Sequence, residues 1–76
     1  MSVEIEFSQH SLDQLKIRTR ITKQMVLEVL KQPDDTAKSF KGRGLFQKHY
    51  GKEVLEVVAI REDNKLIVIT EYFLGQ

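Results

Sequence analysis

One proline divides this chain into two parts that differ in hydrophobic periodicity. Before Pro33, most apolar residues recur at helical spacing, whereas after it β-branched and aromatic residues dominate short runs. Because the residue before a proline is pushed out of the α region, a helix must stop near Lys31. The chain therefore predicts a fold whose helices and whose main sheet come from separate segments.

A short strand and two short helices are predicted before the proline. Residues 3–7 alternate between apolar and acidic side chains, which is typical of a half-buried strand. Ser8 is a candidate N-cap for a helix that runs to about Arg18, and Ser11 offers a second possible start. Thr22 is the candidate N-cap of the next helix. The apolar stripe of that helix consists of Met25, Val26, Val29 and Leu30.

Four strands are predicted after the proline, over residues 36–41, 45–50, 54–60 and 66–73, with turns at 42–44, 51–52 and 62–64. The resulting order, β-α-α-β-β-β-β, predicts one α+β domain over residues 1–76, with two short helices packed on a mainly antiparallel sheet.

The strand over 54–60 is apolar on both faces, and the last strand is similar. Two short helices can cover one face of such a sheet. We expect the second face to contact another chain or to form a shallow groove. The alternative is that loops and long side-chain stems cover it.

The composition excludes several classes of function without identifying one. The chain has 76 residues and no cysteine, which excludes disulfides, thiol catalysis and Cys-based zinc sites. Two distant histidines do not suggest a metal site, and no phosphate-binding glycine motif is present, so we expect no cofactor and no metal. No apolar run approaches a membrane span, and the acidic N-terminus is unlike a signal peptide, so we expect no membrane partner.

The net charge is only +1, but the charged residues are distributed unevenly along the chain. Residues 14–24 carry four cations and no acid, and residues 36–52 carry five cations and no acid. If both stretches lie on one face, that face can hold a polyanion such as RNA. Otherwise they only solvate the surface. The candidate nucleic-acid-binding residues are Lys16, Arg20, Lys41, Arg43, Lys48 and Tyr50.

RNA cleavage without a metal needs a proton acceptor, a proton donor and cations for the phosphate. His10 and Arg18 lie eight residues apart, on roughly the same side of the first predicted helix, and are candidates for these roles. His49 is a second candidate, although alternation along a strand places it opposite Lys48 and Tyr50. The alternative for each is a solvated or packing residue.

The opening Phe7-Ser8-Gln9-His10-Ser11, a downstream arginine, Pro33-Asp34 and Ile69-Thr70-Glu71-Tyr72 resemble the small prokaryotic family named domain of unknown function 4258. The family usually has alanine at the position of Ser11, and its arginine matches either Arg18 or Arg20. The topology is similar to the RelE/ParE toxin superfamily, whose C-terminal tyrosine has its nearest candidate in Tyr72.

This resemblance implies a RelE-like, cytoplasmic toxin-type protein that acts as a metal-independent ribonuclease, with an antitoxin-like protein as a partner. His10, Arg18, His49 and Tyr72 are the candidate catalytic residues. Two alternatives stay open. One is a non-catalytic protein-interaction module that forms a homodimer or binds an antitoxin, and the other is nucleic-acid binding without cleavage.

Overall fold

The elements follow one another in the predicted order. The structure is a computed structural model that describes residues 4–75. It contains β1 (Glu4–Phe7), α1 (Gln9–Ile17), α2 (Lys23–Lys31), β2 (Asp35–Lys38), a 3-10 turn (Phe40–Gly42), β3 (Arg43–Tyr50), β4 (Glu53–Glu62) and β5 (Lys65–Phe73). The α+β prediction is thus confirmed. Val3, with which the first strand was predicted to begin, lies outside the described residues.

The five strands form one sheet in the order β1-β5-β4-β3-β2. All neighbours are antiparallel except β1 and β5, which run parallel. The short strand β1 pairs only with Lys65–Val68. Among residues 4–75, the C-terminal half of β5 therefore has β4 on one side and no strand on the other.

Side-chain caps fix where both helices begin. The Ser8 hydroxyl accepts a hydrogen bond from the Ser11 backbone N–H at 3.1 Å, so α1 starts at Gln9 and not at the alternative start, Ser11. Thr22 accepts from the Met25 N–H in the same way, at 3.1 Å. Within the described residues, neither helix is long and apolar enough to cross a bilayer.

The core lies between the helices and one face of the sheet. Its buried members are Ile21, Val26, Val29, Leu30, Leu55, Val57, Ala59 and Val68. They come from α2, from the segment before it and from the central strands. This agrees with the apolar stripe predicted for the second helix and with the alternation of side chains along the strands. The opposite face carries Val58, which is 7% exposed although it lies outside this core cluster.

The connection between β2 and β3 differs from the prediction. The strand predicted over 36–41 covers only Asp35–Lys38, and the turn lies at Phe40–Gly42 instead of 42–44. Lys41 and Gly42 adopt left-handed backbone conformations, with φ of 62° and 74°. Gly44 lies inside β3, paired with Ala59. Its lack of a side chain serves packing, because a Cβ there would lie 3.0 Å from the Phe46 ring.

Candidate functional site

A β-bulge in β5 places an acidic residue beneath α1. Ala59 pairs with Val68 and Val58 pairs with Thr70, so Ile69 is an extra residue. The bulge shifts the alternation and turns Glu71 toward the covered face, where it pairs with Val57. Without it, Glu71 would point to the face opposite Val68.

Glu71 is fully buried and bonded to a buried serine. Ser11 is also fully buried, and its hydroxyl donates to Glu71 Oε1 at 2.5 Å. The other carboxylate oxygen, Oε2, is buried and has no hydrogen-bond partner within residues 4–75. Burial raises the pKa of Glu71. The Ser11 hydroxyl, the residue's own N–H and the positive charges of Arg18 and His10 oppose this rise in pKa without cancelling it.

Residues at the two ends of α1 donate hydrogen bonds to backbone carbonyls of β5. The Ser8 N–H donates to the Val68 carbonyl at 3.0 Å, and the Ser8 hydroxyl donates to the Ile69 carbonyl at 3.2 Å. At the other end of the helix, Arg18 Nη1 donates to the Glu71 carbonyl at 2.6 Å. Ser8 and Arg18 therefore satisfy carbonyls of β5 past the point where β1 ends.

A cleft of about 400 Å³ opens beside Arg18, and we call it the arginine cleft. It is lined by Ile17, Arg18, Thr19, Arg20, Ile21, Tyr72 and Phe73. The Arg20 guanidinium lies 4.9 Å from the centre of the Phe73 ring and forms an ion pair with Glu53. Two guanidinium groups in a cleft that also contains the Phe73 ring can bind an anion that carries a flat ring.

The hydroxyl of Tyr72 is engaged on the far face of the sheet. It donates to Glu56 Oε2, and the other oxygen of Glu56 accepts from Gln47 Nε2 at 2.7 Å. Glu56 is 6% exposed. This hydrogen bond, with burial, raises the pKa of Tyr72 to about 12, so the phenol stays protonated at neutral pH.

The candidate residues of α1 flank Glu71. His10 is exposed on the first turn of α1, and Arg18 caps its C-terminus. Their charges act on the same carboxylate, as the pKa of Glu71 reflects. The side of α1 that carries His10 and Arg18 is therefore not uniformly solvated, since Ser11 is buried against β5 while His10 and Arg18 are exposed.

The candidates on β3 lie elsewhere. His49 is exposed and is separated from β5 by β4, and its backbone N–H donates to Asp34 Oδ2 at 2.8 Å. Lys48 Nζ donates to the Gln32 carbonyl at 3.0 Å. The Tyr50 hydroxyl donates to Glu28 Oε1 at 3.0 Å, and burial together with this hydrogen bond raises the pKa of Tyr50 to about 12. These three side chains therefore stay outside the arginine cleft.

The remaining predicted cations divide between two regions. Arg20 joins Arg18 in the arginine cleft, and Lys16 is exposed on α1. Lys41 lies in the turn Phe40–Gly42, and Arg43 begins β3, where it pairs with Ile60 near the end of β4. The arginine cleft adjoins the opposite end of β4, where Leu55 pairs with Phe73. Lys41 and Arg43 thus lie away from the arginine cleft.

Glu71 and Glu56 were not predicted as site residues. A signal for both was present in the sequence, because each is the one acidic residue of its predicted strand, 54–60 or 66–73. The bulge that turns Glu71 inward has no such signal.

Comparison with known proteins gives one match. Residues 7–73 match the model of a family described as Domain of unknown function (DUF4258). No curated protein and no solved structure matches the chain.

Proposed function

The chain belongs to the DUF4258 family, and from this premise we propose that it is a RelE-like toxin-type protein that binds RNA in the arginine cleft and cleaves it without a metal. The observation that carries the proposal is the cleft itself. Arg18 and Arg20 line it together with Phe73, whose ring lies 4.9 Å from the Arg20 guanidinium. This is the chemistry that a phosphate with a neighbouring base requires.

The phosphate is bound by the arginines. Arg18 is exposed, and its Nη1 is fixed on the Glu71 carbonyl, which orients the rest of the guanidinium fork toward solvent. Arg20 is held in place by Glu53 and by the Phe73 ring. Fixed guanidinium groups bind an RNA phosphate with little reorganisation.

His10 moves the protons. The neutral imidazole accepts the proton of the 2′-hydroxyl as that oxygen attacks phosphorus. The imidazolium then returns the proton to the 5′ oxygen as the P–O5′ bond breaks, leaving a 2′,3′-cyclic phosphate and a 5′-hydroxyl. Histidine suits both steps because a neutral imidazole accepts a proton and an imidazolium donates one.

Glu71 acts as a positioning residue. It is fully buried and cannot touch RNA, but it holds α1 through Ser11 and holds Arg18 through its backbone carbonyl. His10 and Arg18 are about 12 Å apart along the helix axis, at 1.5 Å per residue. Glu71 lies beneath the helix between them and fixes both ends of the site relative to β5.

Inducible expression in a bacterial host tests this proposal. Wild type should arrest growth and bulk translation, whereas His10→Ala and Arg18→Ala should relieve the arrest at equal levels of soluble protein. Lys31→Ala removes an exposed cation outside the arginine cleft and is the matched control. Growth unaffected by wild type at high soluble expression would contradict the toxin proposal.

A second candidate function is supported by the sheet face that carries no helix. Leu45, Val58, Ile60 and Ile67 alternate onto that face across three adjacent strands, where Leu45 pairs with Val58 and Ile60 with Ile67. A non-catalytic module that binds a second copy of the chain or an antitoxin-like protein would use this surface. Sedimentation equilibrium of wild type and Ile60→Lys tests the homodimer. A monomer at high concentration in both would contradict it.

A further inference from the structure

A second cleft, which we call the Phe46 cleft, lies at the other end of the sheet and has a volume of about 390 Å³. Among the residues that line it are Lys38, Arg43, Phe46, Ala59, Arg61 and Leu66. Leu66 of this cleft and Tyr72 of the arginine cleft are six residues apart on β5, or roughly 20 Å at the rise of a strand. The two clefts are therefore separate sites.

The charged residues on the rim of the Phe46 cleft are all basic. Lys38, Arg43 and Arg61 are exposed, and no acidic residue lines the cleft. Within residues 4–75, none of these three cations lies within 4.0 Å of a carboxylate. Strand alternation contributes to this separation, because Arg61 pairs with Leu66 on the covered face while its neighbour Glu62 pairs with Lys65 on the other face.

The floor of the cleft is apolar and includes an aromatic ring. Phe46, Ala59 and Leu66 are at least partly buried. The ring of Phe46 occupies the space that a side chain at Gly44 would fill, since a Cβ there would lie 3.0 Å from Cε1 and 3.4 Å from Cζ. Gly44 does not have a positive φ, so the glycine provides room for the ring and not backbone freedom.

We propose that the Phe46 cleft is a second RNA-binding site, which holds one nucleotide of a single strand at a distance from the point of cleavage. The base packs on the floor beside Phe46, and the phosphates on either side contact Lys38, Arg43 and Arg61. This inference rests on the proposed function, because it takes RNA as the ligand.

A strand suits the cleft better than a free nucleotide does. All three cations stand on the exposed rim, where each phosphate contact is weakened by salt. A strand makes several such contacts at once and brings neighbouring phosphates to the rim, so its affinity accumulates along its length. Lys41, exposed on the turn that precedes Arg43, extends the same rim along the strand direction.

Binding of 2′-O-methyl RNA, which lacks the 2′-hydroxyl needed for cleavage, tests the site without any catalysis. The probe is a fluorescent oligonucleotide of about 12 nucleotides, compared with a trinucleotide and with AMP. Wild type should bind the long probe much more tightly than the trinucleotide. The salt slope is the slope of log binding constant against log salt concentration. Each phosphate contact on a single strand contributes about −0.7 to it, so three cations that contact phosphates contribute about −2.

The test variant is Arg43→Gln/Arg61→Gln, and the control is Lys31→Gln/Lys52→Gln, which removes two exposed cations that line neither cleft. The test variant should bind the long probe at least tenfold more weakly, with a salt slope reduced by about 1.4. The control should retain both its affinity and its slope.

Equal affinity of the test variant and the control for the long probe would overturn the inference. So would AMP binding at the affinity of the long probe, because the site would then belong to a free nucleotide. Loss of binding in the test variant without RNA cleavage by wild type would support the cleft as an RNA site and refute only the ribonuclease proposal. Gly44→Ala, which displaces the Phe46 ring, should lower the affinity for the long probe without changing the salt slope.

Discussion

Replacing Glu71 with glutamine should change how the free energy of unfolding depends on pH. Burial raises the pKa of Glu71 above the ordinary value of 4.5. Below pH 4.5 the carboxyl group is protonated in the folded and the unfolded chain, so its full contribution to stability is present. As the pH rises through the folded-state pKa, the folded chain must hold a buried charge and this stability is lost.

The size of the effect follows from linkage. Between the unfolded and folded pKa values, the unfolded chain has released a proton that the folded chain keeps. The free energy of unfolding therefore falls by up to about 1.4 kcal/mol for each pH unit in that interval. Glu71 has no exposed surface, so solvent does not screen its charge. Glutamine has nearly the same shape, still accepts from Ser11 and does not titrate.

Urea unfolding across about pH 4 to pH 8 provides the assay. The free energy of unfolding of Glu71→Gln relative to wild type should increase with pH over the interval and then level off. Glu62→Gln, at an exposed position of β4, is the control for the removal of one negative charge. A difference between wild type and Glu71→Gln that stays constant across the pH range would refute the reasoning.

Three further substitutions test the packing. Tyr72→Phe removes the donor to buried Glu56 and should lower the free energy of unfolding by about 1–3 kcal/mol in urea, whereas unchanged stability would mean that Glu56 finds another partner. Gly44→Ala brings a Cβ within 3.0 Å of Phe46 and should cost about 1–3 kcal/mol, with a lower Tm, and a stabilised variant would contradict this packing. Leu55→Ala removes a fully buried side chain and should cost about 2–5 kcal/mol by the same urea assay, so a cost below this range would contradict its place in the core.

The helices could be predicted from the sequence because their boundaries depend on local chemistry. Ser8 and Thr22 satisfy N–H groups three residues away, and Pro33 acts on the backbone just before it. Such signals need no knowledge of the rest of the fold. The order of the elements followed from these boundaries and from strand alternation.

The candidate site was only partly predictable, because it depends on one residue inserted in a strand. Alternation along β5 without a bulge places Glu71 on the opposite face from Val68, away from α1. The bulge at Ile69 reverses that placement, and its geometry depends on pairing with β4 and on bonds from Ser8. His10 and Arg18 were predicted as a pair on one helix, but the carboxylate between them was not.

The position of the turn before β3 was missed for a related reason. Three glycine or basic residues follow one another at 42–44, and composition alone does not say which of them bends the chain. Gly42 has φ of 74° and lies in the turn, whereas Gly44 makes room for Phe46 inside the strand. The distinction depends on a tertiary contact.

Cleavage of a labelled RNA by the purified chain is the most direct test of the central claim. The reaction should contain EDTA, and matched reactions should contain the 2′-O-methyl RNA or the variants His10→Ala and Arg18→Ala. The proposal predicts that wild type produces 2′,3′-cyclic phosphate ends from the unmodified RNA, and that the modified RNA and both variants give none above background. Equal background cleavage by wild type and His10→Ala would contradict it.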